Sequence, residues 1–407
     1  MFLHWLGRDG KLLIAARMLR ALAYGFVSFV LAIYLKQRGL SEIAIGAVMT
    51  LSILGGTVFT VLTALYADRL GRRRVLILFS LLMALSGLLF AFSNQTIFFL
   101  AAALIGAINA TGYEIGPFLS IEQAILAQIG PDAKRNQLFA FYNMAGLLAT
   151  ASGTLVGGLP GWLEKSGFSP IQSFQPLFLL YTLLGLLSTW MAWALSGEVE
   201  RNTVPLSAQR LSPTSRKRVT RLSLLFSLDA FAGGFVLQSL VAYWFYIRFD
   251  VPLQTLSALF FVAGILTSLS FLVAAHLADR IGLLETMVST HLLSHLLLIM
   301  VPLSPNFEIA VGFYLARMAF SQMDVPTRQA YTVALVAPSE RTAAASITLL
   351  SRSLTQAVAP SVTGVLIQTV SAAAPFFLAA GLKGLYDLLL YFQFRKENVV
   401  IHPAPRE

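Results

Sequence analysis

Twelve apolar runs, most of them close to or above the ~20 residues that cross a bilayer as a helix, occupy roughly 12 to 35, 43 to 66, 75 to 93, 97 to 127, 136 to 159, 174 to 195, 222 to 247, 255 to 278, 283 to 303, 307 to 336, 342 to 369 and 373 to 394. A chain divided in this way predicts an all-α integral membrane protein with 12 transmembrane helices. Composition points the same way. Hydrophobic residues make up 57% and charged residues 12%, with mean hydropathy +0.74, which leaves too little polar surface to cover a water-soluble body. The first run has basic flanks like a secretory leader, but it is too long for one and many equal segments follow it, so it is expected to remain as the first span. A net charge of +10 does not imply a nucleic-acid partner, because the basic residues sit in short loops and form no stripe on a soluble domain. Cysteine is absent, which excludes disulfides and thiolate metal sites.

Charge in the loops sets the orientation. With both termini cytoplasmic, that side carries Arg8, Lys11, Arg69, Arg72, Arg73, Arg74, Lys134, Arg135, Arg201, Arg210, Arg216, Lys217, Arg218, Arg221, Arg280, Arg341, Arg395, Lys396 and Arg406, against Lys36, Arg38, Lys165 and Arg248 opposite. Lys and Arg resist translocation, so cytoplasmic termini in the cell membrane are expected. The polar stretch Ser196 to Arg221 splits the spans six and six. The expected organisation is a cytoplasmic N-terminus (1–11), a first bundle (12–195), a cytoplasmic linker (196–221), a second bundle (222–394) and a cytoplasmic tail (395–407).

The halves repeat each other. Ala64-Leu65-Tyr66-Ala67-Asp68-Arg69-Leu70-Gly71-Arg72-Arg73-Arg74 recurs in shortened form as Ala275-His276-Leu277-Ala278-Asp279-Arg280-Ile281-Gly282. Arg20 to Val27 in the first span matches Asp229 to Val236 in the seventh at five of eight positions. Glu122-Gln123-Ala124 in the fourth mirrors Arg328-Gln329-Ala330 in the tenth. A parallel repeat of two six-helix units is the sequence signature of a transporter built from related bundles.

These residues resemble the major facilitator superfamily over essentially the whole chain. Its loop signature, Gly-x-x-x-Asp-x-x-Gly-Arg-Arg, is similar to Ala64, Asp68, Gly71, Arg72 and Arg73, with Arg69 inside it; the second copy keeps Asp279, Arg280 and Gly282 but runs on into Leu283 and Leu284. A fifth-span antiporter signature, Gly-Pro-x-x-Gly-Gly, resembles Gly153, Gly157 and Gly158 with Thr154 in place of proline. The fourth-span Arg associated with proton handling in drug antiporters has no counterpart in Ile105 to Gly112. The resemblance implies two pseudo-twofold-related six-helix bundles, alternating access, a gating role for the loop, and a cavity surrounded by spans one, four, seven and ten. It implies a transporter and no enzyme. No Walker-type nucleotide loop is present, so an ion gradient, of protons, is the expected driving force and no cofactor is expected.

Charges inside spans carry the site reading, since each costs roughly 2.5–3.5 kcal/mol on insertion scales unless paired or hydrated. They are Arg17, Arg20, Glu114, Glu122, Asp229, Arg317, Asp324, Arg328, Arg352, Lys383 and Asp387. Arg20, Glu114, Asp229, Arg317, Asp324 and Arg352 are the transport and coupling candidates. Arg20 and Asp229, opposite in charge at matched positions, are expected to pair in closing the cytoplasmic side. Glu122 and Arg328, at matched helix ends, are expected to pair with nearby arginines and with Asp279. Arg17 is placed to snorkel, and Lys383 and Asp387, spaced i, i+4, to satisfy each other. Arg317 shares a helical face with Asp324. His291 and His295 also share a face, but no acidic residue accompanies them in sequence, so no metal is expected. Tyr24, Tyr113, Phe231, Gln238, Tyr314 and Gln322 are possible cavity-lining residues. The function expected is proton-coupled export of amphipathic compounds or drugs by a monomer. The alternatives are uptake or exchange of an organic anion at Arg20 and Arg317, and a non-transporting membrane receptor or scaffold.

Overall fold

The computed structural model describes residues 5–105, 108–112, 116–131, 134–200 and 211–395. Its helices are α1 (Arg8–Gln37), α2 (Glu42–Leu70), α3 (Arg72–Phe92), α4 (Thr96–Leu104), α5 (Pro117–Ile129), α6 (Arg135–Val156), α7 (Leu159–Lys165), α8 (Pro170–Trp193), α9 (Pro213–Gly234), α10 (Gln238–Phe249), α11 (Leu253–Ile281), α12 (Leu283–Leu303), α13 (Phe307–Phe320), α14 (Asp324–Ala334), α15 (Arg341–Thr369) and α16 (Ala374–Phe394). Four spans consist of two consecutive helices each, α4 with α5, α6 with α7, α9 with α10 and α13 with α14, so the 16 helices among the described residues are consistent with the 12 expected spans. Among the described residues nine are long and apolar enough to cross a membrane. The remaining three are spans four and ten, which are broken, and span eleven, whose α15 carries Arg341 and Arg352.

Local chemistry explains the breaks. Gly112 (φ +80°) and Gly116 (φ +146°) hold a conformation that side chains disfavour, and Pro117 then opens α5, where its missing N–H is no loss. In span ten, Pro326 sits in the first turn of α14 and has no N–H to offer the Gln322 carbonyl, so α13 and α14 do not fuse.

The repeated loop is realised twice with one geometry. Gly71 (φ +92°) is the single residue between α2 and α3, and Gly282 (φ +97°) the single residue between α11 and α12. Each gives its N–H to the residue four before it, Ala67 at 2.9 Å and Ala278 at 3.0 Å.

Two compact units are formed. The first comprises Met1–Pro205, Val236–Ile265 and Pro360–Ala372; the second comprises Leu206–Phe235, Leu266–Ala359 and Ala373–Glu407. The division therefore passes through spans seven, eight and eleven, at the α9–α10 break and at Pro360 inside α15.

In the first unit α1 is enclosed from Ala23 to Leu35, with α6, α8 and α10 packed on it. Its crossing with α6 brings backbone against backbone: a methyl group on Gly25 would lie 2.1 Å from the Thr150 carbonyl oxygen, and one on Gly153 2.1 Å from that of Leu22. Gly157 lies against the Phe29 ring and Gly158 against Ser257. The fifth-span glycines thus have a packing role here. Gly153→Val is expected to lower stability by about 1–3 kcal/mol, read as a fall in the melting temperature of the purified protein; an unchanged value would remove the crossing from the account. A second close approach, Gly364 on the Glu42 carbonyl and Gly46 on that of Pro360, seats 360–372 against α2. The core of the second unit is Leu222, Phe226, Met287, Tyr331, Tyr386, Leu390 and Phe394. Large apolar side chains such as Leu78, Leu85, Trp190, Leu296 and Phe392 stay exposed, as a lipid-facing surface requires.

Candidate functional site

In the first unit Glu122, expected to pair with an arginine, finds Arg20. Arg20 of α1 and Glu122 of α5 are each 1% exposed and meet at 2.7 Å from Nη2 to Oε1. Arg20 Nη1 donates to Ser188 Oγ at 3.1 Å, and its guanidinium lies 4.1 Å from the centre of the Phe118 ring. The Tyr142 hydroxyl donates to Glu122 Oε2 at 2.6 Å. A buried ion pair is tolerable when its remaining hydrogen-bonding atoms are satisfied in this way, and losing one partner is then expensive. Arg17 does not snorkel: it is 8% exposed, with its guanidinium 4.6 Å from the centre of the Tyr142 ring.

In the second unit one carboxylate gathers three cations. Asp229 Oδ1 accepts from Lys383 Nζ at 2.5 Å, and Oδ2 accepts from Arg352 Nη1 at 2.8 Å and Arg328 Nη1 at 3.3 Å. Arg328 also donates to Asp324 Oδ2, one turn earlier on α14. Asp387 faces two imidazoles, with His291 Nδ1 3.0 Å from Oδ1 and His295 Nε2 3.0 Å from Oδ2.

Several sequence expectations are corrected by this geometry. Arg20 is engaged by Glu122 within the first unit, and Asp229 by Lys383 and Arg352 within the second. Arg328 turns to Asp229 and Asp324, and Asp279 lies exposed at the helix end. Lys383 leaves Asp387 for Asp229. The acidic residue that the sequence does not place beside His291 and His295 is supplied by span twelve, as Asp387. The matched positions also acquire a meaning that spacing did not give. Arg20 pairs with Glu122 across spans one and four, and Asp229 with Arg328 across spans seven and ten, so the repeat conserves the pair and exchanges its signs.

The other candidates fall as follows. Asp324 is 3% exposed and bound to Arg328, while Arg317, 9% exposed, has Nη1 3.4 Å from Met318 Sδ. Tyr24 is buried beside Tyr181, Tyr314 is buried, and Phe231 packs on Phe235. Gln238 Nε2 donates to Ser28 Oγ at 3.2 Å, and Gln322 is half-buried in the break before α14. Tyr113 and Glu114 lie outside the described residues.

At the loop, Arg72 Nε donates to Asp68 Oδ1 at 2.8 Å and its Nη1 to Gln128 Oε1 at 3.0 Å. Ala64 and Arg69 are exposed. Arg73 donates to the Trp193 carbonyl. The N-terminus of α3 is closed by a residue that sequence reasoning passed over: Glu200 accepts from the backbone N–H of Arg72 at 2.7 Å and of Arg73 at 2.9 Å. A carboxylate there satisfies two orphan donors and suits the helix dipole. Its signal was available, as Glu198 and Glu200 are acidic residues in the otherwise basic stretch that follows span six.

Twelve spans in two related halves, with charges buried and paired inside them, define an integral membrane transporter. The chain belongs to the Major Facilitator Superfamily, whose family model matches residues 13–323 and 249–407. An uncharacterized membrane protein of Saccharomyces cerevisiae is 26% identical, over 95% of this chain and 94% of its own. The nucleoside transporter NupG has a similar structure, with TM-score 0.74 at 14% identity over 96% of this chain and 100% of that one. A D-xylose–proton symporter gives TM-score 0.71 at 14% identity, covering 94% and 97%. The human organic anion transporter MFSD10 gives 0.59 at 19% identity, covering 94% and 99%.

Proposed function

We propose that this transporter exports an amphipathic organic solute in exchange for protons, as a monomer in the cell membrane with both termini cytoplasmic. The observation that carries the reading is the Arg20–Glu122 pair, a carboxylate enclosed within the spans and held to a guanidinium of another span. Protonating Glu122 removes the charge that holds Arg20, so proton occupancy is linked to how spans one and four pack. In the second half Asp324 is the corresponding group: it holds Arg328, which in turn contacts Asp229 across spans ten and seven. Engagement of Arg20 by Glu122, Ser188 and Phe118 speaks for a solute that brings no anionic group to that position. The loop signature, tied down by Glu200, is assigned to gating.

A second reading, uptake or exchange of an organic anion, is favoured by one observation. Asp229 and Asp324 together face Lys383, Arg352 and Arg328, a surplus of cation that an anionic solute would offset. One of the similar folds is that of an organic anion transporter.

The test uses proteoliposomes. A panel of amphipathic cations and organic anions is first screened for thermal stabilisation, and the hits are followed under an imposed pH gradient and in gradient-free exchange. Glu122→Gln and Asp324→Asn are expected to keep exchange and lose gradient-driven accumulation. Accumulation that persists in both variants refutes proton coupling at these groups, and accumulation of anions in place of amphipathic cations selects the second reading.

A further inference from the structure

Asp387 is a buried carboxylate, 1% exposed, that lacks the cation its sequence position offers, because Lys383 gives its ammonium to Asp229. Two imidazoles one turn apart on α12 face it instead. His291 and His295 are 3% and 4% exposed, stand edge to face with centroids 4.3 Å apart, and each places a ring nitrogen 3.0 Å from a different Asp387 oxygen.

Hydrogen bonding does not complete this group. His291 Nδ1 and Asp387 Oδ1 form a hydrogen bond, whereas His295 Nδ1, His295 Nε2 and Asp387 Oδ2 have no hydrogen-bond partner. Buried polar atoms left in that condition call for an explanation, and an ion is one. Each neutral imidazole carries one N–H. That accounts for the bond between His291 and Asp387, but the 3.0 Å approach of His295 Nε2 to Asp387 Oδ2 does not meet hydrogen-bond geometry. A single cation seated between the rings and the carboxylate takes a lone pair from all three residues. One ligand atom from each lies within 4.8 Å of the others, and small side-chain shifts bring these to the ~3.4 Å edge of a tetrahedron with bonds of about 2.0–2.1 Å. Two imidazoles and one carboxylate suit zinc and its neighbours, while calcium and magnesium prefer oxygen.

Asp229, Asp324 and Asp387 stand near Lys383, Arg328, Arg352 and Arg317, so the neighbourhood holds no excess of negative charge. Asp387 is the carboxylate in this set that faces the imidazoles, and affinity for a cation rests on the donor set rather than on the surrounding field.

We infer that His291, His295 and Asp387 form a binding site for a divalent transition-metal ion of the zinc class. The site adjoins Asp229, whose Oδ1 lies 3.9 Å from His291 Nε2, but its assignment does not rest on the transport reading. Full-length protein carrying no histidine tag, with His4, His276 and His402 replaced by Gln, retains only these two histidines of its five. After chelator treatment it is titrated with Co2+, followed by ligand-field absorption, displacement by Zn2+ and a count of bound metal by mass spectrometry. One Co2+ per chain is expected, and His295→Gln and Asp387→Asn are each expected to weaken it at least about tenfold. Absence of saturable Co2+ binding, or binding unchanged in both variants, overturns the site. If Asp387→Asn fails to fold, His295→Gln decides the matter, because its ring has no hydrogen bond to lose.

Discussion

Asp229→Asn is expected to cost about 3–5 kcal/mol of stability, the penalty for leaving buried charge uncompensated. In this protein the abandoned charges are those of Lys383 and Arg352, held at 2.5 and 2.8 Å, and in part that of Arg328, which keeps Asp324. The measurement is thermal or denaturant unfolding of the purified protein in detergent. Adding Lys383→Met to Asp229→Asn removes a cation together with the anion, so the double variant is expected to be more stable than Asp229→Asn. Asp279→Asn, at an exposed helix end of the repeated loop, is expected to stay within about 0.5 kcal/mol of the native chain. Equal effects at positions 229 and 279 would mean that the buried network is not what holds the second unit.

That contrast shows where sequence reading succeeded and where it stopped. The 12 spans, the two glycine-hinged loops and the family were legible, because each depends on properties local in the chain: length, hydropathy and the one residue that tolerates positive φ. The set of buried charges was legible too, since an ionised side chain in an apolar span stands out. Their pairing was not. Lys383 and Asp387 share a helix face, yet Lys383 reaches α9, because three-dimensional packing brings Asp229 nearer to its ammonium than the Asp one turn away. Arg328 lies close in sequence to Asp324, which it does bind, and far from Asp229, which it also binds. Spacing along one helix registers the first kind of contact and is blind to the second. Glu200 was missed for a related reason. A helix N-terminus can be capped from any direction, and this cap arrives from beyond span six, 128 residues downstream of Arg72.

The exchanged signs of the two halves lead to the other large expected effect. In spans seven and ten the anion comes first and the arginine second, as Asp229 and Arg328; in spans one and four the order is reversed, as Arg20 and Glu122. A scaffold that holds both orders at matched positions should tolerate the second order at the first location. Arg20→Asp alone places two carboxylates side by side with no cation between them, and is expected to cost at least about 3–5 kcal/mol. Combining it with Glu122→Arg restores an attractive pair, and the double variant is expected to recover at least about half of that loss, so that the two changes are strongly non-additive. Ser188 and Tyr142 limit the recovery, since they are placed for a guanidinium at 20 and a carboxylate at 122. The parallel cycle between Arg20 and Asp229, which share no partner in the observed networks, is expected to be additive within about 0.5 kcal/mol. Strong coupling in that second cycle, with none in the first, would make the pair across the halves the one that matters and the pairs within each half incidental.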